Sequence, residues 1–312
     1  MGGLVAALGL LTSCRWDDDS AYAPERKGFY LRVDSALYWV PEGGATVYLP
    51  YEVQAIAGTE KHLWALSREG HTLWVFAAGS TKPQSSYPVD YPVTTLTSTP
   101  QELYVGGPSH IGRGNLRGKS SSPELRWQWA PSGPVSALTP GSAFVGAAAG
   151  PQLLTLLPGE VQPSFAVELP GPIQHLWVET PTGLGGTFRW RDTLYAFSYE
   201  PRARLLRLDT TQPTPYRKKL YSPYLKAQFG TEYLGTISLS AQGGLFPLNL
   251  TGVQEVEVSF FDGKAFILRQ DSLLEYALAK AEPPRLIGIF PGARSLAVVP
   301  VYRYGSAEIT TR

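Results

Sequence analysis

His62-Leu-Trp-Ala-Leu66, the turn Arg68-Glu69-Gly70 and Thr72-Leu-Trp-Val-Phe76 together decide the fold class of this chain. Two strand-length apolar segments flank a charged turn that ends in glycine, which is the pattern of an antiparallel hairpin. The same pattern recurs twice, in Thr193-Leu-Tyr-Ala-Phe197 before Arg204-Leu-Leu-Arg-Leu208, and in Ser272-Leu-Leu-Glu-Tyr276 before Arg285-Leu-Ile-Gly-Ile289. The sequence therefore predicts an all-β chain of short hairpins.

The hairpins belong to a longer internal repeat. Short apolar segments begin at Val53, Val93, Val135, Ile173, Val256 and Arg294. Their spacing is close to 40 residues, apart from one double step that indicates a degenerate copy near residues 214–229. A period of about 40 residues is typical of propeller blades or of helical repeats. Glycine and proline interrupt the chain too often for helical repeats, so the period favours blades.

The repeat predicts a β-propeller of seven four-stranded blades, with six or eight as alternatives. The last repeat leaves too few residues for a whole blade, whereas the N-terminal region carries spare strands. We expect residues 29–50 and 294–312 to share one blade, since joining the two ends of the chain protects the sheet edges.

The hairpin pattern also resembles the PQQ-like (quinoprotein-type) propeller repeat. Its usual Asp and Thr-Gly-Lys turn are replaced here by Ser67 and by Glu69-Gly70-His71. The resemblance implies the fold rather than a cofactor, and we predict no cofactor. The chain is similar to the propeller lipoproteins that assist outer-membrane protein assembly, which dock partner proteins and carry no cofactor.

The chain has a single cysteine, Cys14, directly after an apolar run. Leu11-Thr12-Ser13-Cys14 resembles the lipobox of bacterial lipoproteins, which implies cleavage before Cys14 and lipidation of its thiol. The run is too short for a membrane span, which needs about 20 apolar residues, but it fits a secretory signal. An ordinary secretory peptide and a buried N-terminal strand are the alternatives.

The lipobox divides the chain into a signal peptide over 1–13, a flexible tether over 14–27 and a propeller over 28–312. Asp17-Asp18-Asp19 fits a solvated tether. By resemblance, Arg15 after the cysteine favours the outer membrane. We therefore expect an extracytoplasmic protein that a lipid anchor holds in the cell envelope.

The composition excludes one class of partner. The formal net charge is +1, so no basic excess suggests a nucleic acid. Methionine occurs only at position 1 and asparagine only at two positions. This scarcity suits a thermophile, although a GC-rich codon bias would produce the same pattern.

Candidate binding residues fall into two groups. The predicted inner strands offer a possible channel lining that is polar but poor in acids and bases: Gln54, Thr95, Ser136, His175 and Glu257. Two segments read as basic loops. One carries Arg113, Arg117 and Lys119, and the other, a possible partner-binding surface, carries Tyr216, Arg217, Lys218, Lys219, Tyr221, Tyr224 and Lys226.

No catalytic motif or metal-ligand spacing is present in the sequence. We predict a non-enzymatic scaffold that binds envelope proteins, with no metal site. A ligand- or glycan-binding propeller that uses its central funnel, and a purely structural envelope component, are the alternatives.

Overall fold

The computed structural model describes residues 24–59, 62–99, 102–115, 125–129, 133–141, 144–157, 165–180, 182–210, 217–222, 227–233, 236–239, 248–259, 264–278 and 282–302. Every regular element within these ranges is a β-strand, which confirms the all-β prediction.

The strands in the first half of the chain are short and mostly joined as hairpins. They are β1 (Pro24–Val33), β2 (Ala36–Pro41), β3 (Val47–Gly58), β4 (His62–Ser67), β5 (Thr72–Ala77), β6 (Ser85–Pro88), β7 (Thr95–Ser98), β8 (Glu102–Gly106), β9 (His110–Asn115), β10 (Arg126–Trp129), β11 (Val135–Pro140), β12 (Val145–Ala149), β13 (Gln152–Leu156) and β14 (Phe165–Glu168).

The second half continues in the same way. Its strands are β15 (Ile173–Thr180), β16 (Gly183–Trp190), β17 (Thr193–Glu200), β18 (Leu205–Asp209), β19 (Arg217–Ser222), β20 (Ala227–Tyr233), β21 (Thr236–Leu239), β22 (Leu248–Thr251), β23 (Val253–Ser259), β24 (Lys264–Arg269), β25 (Ser272–Ala277), β26 (Arg285–Ile289) and β27 (Ala293–Tyr302).

Strand pairing gives one seven-stranded sheet and five four-stranded sheets, all antiparallel in the pairs that the structure describes. The four-stranded sheets comprise β7–β10, β11–β14, β15–β18, β19–β22 and β23–β26. In the seven-stranded sheet, β3 pairs with β2 over residues 47–52 and with β4 over residues 53–58. This sheet therefore has two halves, the β27-β1-β2-β3 half-sheet and the β3-β4-β5-β6 half-sheet.

The β27-β1-β2-β3 half-sheet joins the two ends of the described chain. Strand β27 pairs with β1, so that Phe29 lies opposite Val298 and Leu31 opposite Leu296. This is the pairing expected from the surplus of strands at the N-terminus and their shortage at the C-terminus. Residues 303–312 lie outside the described residues.

The sheets pack face to face through apolar clusters. One cluster joins the two half-sheets and contains Tyr30, Trp39, Leu63 and Phe76. Another joins the β23–β26 sheet to the β27-β1-β2-β3 half-sheet and includes the ring contact between Phe29 and Phe266, whose centroids are 4.8 Å apart. Burying apolar side chains between neighbouring sheets is the main favourable term that holds such an arrangement together.

The repeat has a physical basis where three of its copies begin. The backbone N–H of Val93 donates to the Gly70 carbonyl (3.0 Å), that of Val135 to Gly107 (2.9 Å) and that of Ile173 to Gly150 (2.9 Å). Each bond therefore ties the first residue of a repeat to a turn of the preceding sheet. Gly70 suits this turn because its φ is 76° and a side-chain Cβ there would lie 2.2 Å from the Val93 carbonyl oxygen.

Candidate functional site

The first strands of successive sheets are neighbours, and their polar side chains connect one sheet to the next. Strand β3 contacts β7, β7 contacts β11, β11 contacts β15 and β15 contacts β19, while β27 contacts both β23 and β3. These strands carry the residues that the sequence predicts to line a channel.

Gln54, one of the predicted channel residues, connects two sheets. Its Nε2 donates to the carbonyl of Val93 at 2.8 Å and to that of Ser67 at 3.2 Å. A second bond runs in the opposite direction between the same two repeats, since the Ser98 hydroxyl donates to the Gly58 carbonyl at 2.7 Å. The partners lie 39 and 40 residues apart, so the sequence period is also the spacing of these bonds.

Glu257, another predicted channel residue, acts together with Glu255, which sequence reasoning missed. Both lie on β23 and reach across to β27. Glu255 Oε2 accepts the backbone N–H of Leu296 at 2.6 Å, and Glu257 Oε2 accepts that of Val298. The two carboxyl groups therefore hold β27 to the β23–β26 sheet. Their alternation in Glu255-Val256-Glu257 was the available signal, because residues two apart on a strand share a face.

The environment of Glu257 favours its protonated form. Burial raises the pKa of the Glu257 carboxyl well above its ordinary value, the nearby Glu255 carboxylate raises it further, and the bond from Val298 opposes both effects. On β1, which pairs with β27, burial lowers the pKa of the Arg32 guanidinium and the charge of Glu255 partly offsets this. Strand β23 thus carries two carboxyl groups in different environments, and the charge of Glu255 is balanced in part by Arg32.

The remaining channel candidates are less tightly held. Thr95 is half-buried on β7, and Ser136 is exposed on β11, with its hydroxyl 3.4 Å from the Ala148 carbonyl. His175 is exposed on β15, and its Nδ1 lies 2.8 Å from the hydroxyl of the buried Thr187. His175 is therefore a hydrogen-bonded surface residue of an innermost strand.

The basic, tyrosine-containing segment is not the loop that the sequence predicted. Arg217–Ser222 is strand β19, which pairs with β20 and lies beside β15. Arg217, Lys218, Lys219 and Tyr221 are therefore strand residues, whereas Tyr216, Tyr224 and Lys226 lie outside the described residues. The period had already indicated a repeat copy near 214–229, and a repeat copy begins with a strand.

The other predicted basic loop is also partly wrong. Arg113 lies on β9, and its side chain is only 9% exposed. Its guanidinium pairs with Glu102, which also accepts the hydroxyl of Tyr104. Arg113 is therefore part of a buried network, whereas Arg117 and Lys119 lie outside the described residues.

An apolar edge lies on the opposite, outer side of the sheets. Strand β26 is the terminal strand of the β23–β26 sheet, and its side chains Leu286 and Ile289 are 54% and 64% exposed. A cleft of about 440 Å³ separates β26 from the turn at residues 41–46. Exposed large apolar side chains beside a cleft are a mark of protein or ligand contact surfaces.

Within the ranges that the structure describes, no group of three or more His, Cys, Asp or Glu side chains is arranged to hold a metal ion. Over the same ranges, no helix has the length and apolar character to cross a membrane. Cys14, the signal segment and most of the tether lie outside the described residues.

Comparison with known proteins identifies the architecture. No family model matches the chain, and no curated protein matches it in sequence. Among solved structures, Sqt1 from Saccharomyces cerevisiae has 10% identity, a TM-score of 0.55 and coverage of 88% of both chains. The WD40 domain of Neurospora crassa Pan2 has 11% identity and a TM-score of 0.50, covering 78% of this chain and 86% of that domain.

A bacterial structure is similar to the same degree. PorZ, a surface component of the type-IX secretion system of Porphyromonas gingivalis, has 13% identity and a TM-score of 0.56. The match covers 86% of this chain and 38% of PorZ. These neighbours are WD40 and related propeller proteins, so the chain has a β-propeller fold.

Proposed function

We propose that this chain is a membrane-anchored, extracytoplasmic β-propeller that acts as a non-enzymatic scaffold for other proteins of the cell envelope. The observation that carries the proposal is the apolar edge at β26, where Leu286 and Ile289 are largely exposed beside a cleft. An exposed apolar strand at a sheet edge promotes aggregation. A partner protein that covers the edge is therefore the best explanation for its exposed leucine and isoleucine.

The proposed propeller has seven blades. The two half-sheets supply one four-stranded blade each, because β3 is shared, and the five four-stranded sheets supply the others. Pairing of β27 with β1 supports closure of the ring by strands from both ends of the chain. Closure would also bring β19 and β23 together as neighbouring innermost strands.

The PQQ-like resemblance and the lipid anchor belong to the same proposal. The lipobox at Leu11-Thr12-Ser13-Cys14 would place a thioether-linked lipid at Cys14, with the outer membrane as the favoured address. The tether expected over 14–27 ends at residue 23 in this proposal, because β1 begins at Pro24 and pairs with β27. More than one acyl chain is needed for a stable anchor, so we expect the amino group of Cys14 to be acylated as well.

A non-enzymatic role is supported by what the innermost polar side chains do. Four of these side chains direct their polar atoms at backbone groups of a neighbouring sheet: Gln54, Ser98, Glu255 and Glu257. These groups hold sheets together. A second candidate, binding of a ligand or glycan in the central funnel, is favoured by the exposed positions of Ser136 and His175 on innermost strands.

The test is a pull-down from detergent-solubilised envelopes of the native chain and of Cys14→Ala. We expect the native chain to fractionate with membranes and to retain discrete envelope proteins that Cys14→Ala loses. A native chain that stays in the soluble fraction and returns alone would contradict both the anchor and the scaffold.

A further inference from the structure

Both ends of the described chain lie at the same end of the propeller. Pro24 on β1 lies directly opposite Tyr302 on β27. Strand β1 also pairs with β2, where Gly28 lies opposite Pro41. The turn between β2 and β3, over residues 42–46, therefore lies at this end too. We call it the proximal end of the propeller.

The turn between β1 and β2 lies at the opposite end, which we call the distal end. The carbonyl of Ser35 in this turn accepts the backbone N–H of Val53 at 2.6 Å. The Gly70 carbonyl in the turn between β4 and β5 accepts the backbone N–H of Val93 in the same way, at 3.0 Å. The distal turns of neighbouring sheets are therefore aligned, because each one holds the start of the next repeat.

The tether between Cys14 and Pro24 is short compared with the height of the propeller. A fully extended chain spans at most about 3.6 Å per residue, so Cys14 lies within about 36 Å of Pro24. Strand β1 has 10 residues, and at about 3.3 Å per residue the distal end lies about 33 Å from Pro24.

A tether of this length cannot reach the distal end. It would first have to pass β27 on the inside of the blade, or β2 and β3 on the outside, because the sheet order is β27-β1-β2-β3. Each strand passed adds about 4.8 Å to the height of about 33 Å. Either path is longer than the fully extended tether.

We infer that the proximal end of the propeller faces the bilayer surface and that the distal end points away from it. This inference rests on the proposed lipid anchor and gives the orientation that the anchor imposes. Strand β1 is next to the innermost strand of its blade, so the tether leaves the propeller near the middle of the proximal end rather than at its rim. Attachment near the middle favours an end-on orientation over a sideways one.

The orientation does not depend on the charge of the proximal end. In the described part of its turns, the exposed charged side chains are basic at Lys82, Arg202 and Arg204 and acidic at Glu42 and Glu282. The three aspartates at 17–19 belong to the tether and lie close to the lipid in any orientation. A neutral phosphatidylcholine surface is therefore the appropriate bilayer for the test.

The experiment attaches the full chain to vesicles through Cys14, which is its only cysteine. The vesicles contain phosphatidylcholine, a maleimide lipid that couples to the thiol, and a nitroxide-headgroup lipid that quenches fluorophores close to the surface. A fluorescent amino acid replaces Lys82, Glu69 or Ser86, all of which are exposed. Lys82 marks the proximal end, Glu69 the distal end and Ser86 the outer strand β6 of one half-sheet.

We expect several-fold stronger quenching at position 82 than at position 69, with position 86 between them. Strand β5, which separates the two turns, has 6 residues and therefore rises about 20 Å. A water-soluble nitroxide should quench all three positions to a similar degree, which controls for their exposure. Equal or stronger quenching at position 69 would overturn the inference, and so would the strongest quenching at position 86, which would indicate a sideways orientation.

Two variants test whether the tether sets the orientation. A Gly/Ser segment inserted after Ser20, as long as the tether itself, should reduce the contrast between positions 82 and 69, because a flexible linker extends the reach of the anchor. Cys14→Ala cannot couple to the maleimide lipid and should show no quenching at any position. An unchanged contrast in the first variant, or quenching in the second, would overturn the inference.

The outcome separates this inference from the proposed function, because coupling in vitro requires neither lipidation in cells nor a partner. If the quenching pattern is as expected but the native chain stays in the soluble fraction of cells, the orientation imposed by the tether stands and the proposed anchor is wrong. If the native chain retains envelope partners at the membrane but position 69 is quenched more than position 82, the scaffold stands and the orientation is wrong.

Discussion

Replacing Arg113 with methionine should cost far more stability than its position in a glycine-rich, charged stretch suggests. Glu102 and Arg113 are 10% and 9% exposed at their side chains, and they pair across β8 and β9. Removing one partner of a buried pair leaves an uncompensated charge and costs about 3–5 kcal/mol. Because the Tyr104 hydroxyl still donates to Glu102, we expect the lower end, about 3 kcal/mol.

The matched control is Arg68→Met, the same substitution in an exposed pair. Arg68 and Glu52 are 3.2 Å apart, and their side chains are 62% and 61% exposed. Exposed pairs contribute about 0.2–1 kcal/mol. In urea, with a slope of about 3 kcal/mol per molar, Arg113→Met should lower the unfolding midpoint by about 1 M and Arg68→Met by no more than about 0.3 M.

The assay is urea unfolding followed by tryptophan fluorescence. The double variant Glu102→Gln with Arg113→Met should recover more than about 1 kcal/mol, because it removes the unpaired charge. Equal midpoint shifts for Arg113→Met and Arg68→Met would refute the reasoning, because they would indicate that Arg113 is as exposed as Arg68.

Two further predictions concern the junction between the β23–β26 sheet and the strands from the chain ends. The pKa of Glu257 is higher in the folded chain than in the unfolded chain, so its stabilising contribution is complete below the unfolded pKa and is lost as pH rises through the folded pKa. The urea midpoint of Glu257→Gln should therefore rise relative to that of the native chain between pH 4.5 and pH 7.5. A difference between the two midpoints that does not change with pH would contradict this. Phe266 is fully buried against Phe29, so Phe266→Ala should lower the free energy of unfolding by about 3–5 kcal/mol. As a control, Leu286→Ala on the exposed edge of the same sheet should change it by no more than about 0.5 kcal/mol. Similar losses for the two variants in calorimetry would mean that the two sheets do not pack as described.

The positions of these strands were predictable because the local alternation of apolar residues and the spacing of the repeat indicate the same segments. The segments at His62–Leu66 and Thr72–Phe76 became β4 and β5, and the repeat starts at Val53, Val135 and Ile173 became the starts of innermost strand segments. Alternating apolar residues and Gly/Pro turns report on strand formation directly.

The buried network around Arg113 was not predictable in the same way. Gly112-Arg113-Gly114 reads as a loop, because glycine and charge are both rare in buried strands. Burial of the arginine depends on Tyr104 lying opposite it and on Glu102 lying diagonally across, and both depend on the register between β8 and β9. A register is set by tertiary packing rather than by the composition of either strand.

Which side chains are exposed could not be predicted from the sequence, for a related reason. The sequence shows that Leu205, Leu206 and Leu208 are apolar, but not that Leu206 faces the core while its neighbours are exposed. The basic segment at Arg217–Ser222 was read from composition as a loop, although the period of the repeat places a strand there. Where composition and period conflict in a repeat protein, the period is the better guide, because each copy must complete the same sheet.

The central claim is that the apolar outer edge of this propeller binds envelope proteins, and site-specific photo-crosslinking in intact cells tests it most directly. The crosslinking residue replaces Ile289 on the apolar edge or, as a control, exposed Thr81. The account predicts discrete protein adducts from position 289 and none from position 81. No adducts from position 289, or the same adducts from both positions, would contradict it.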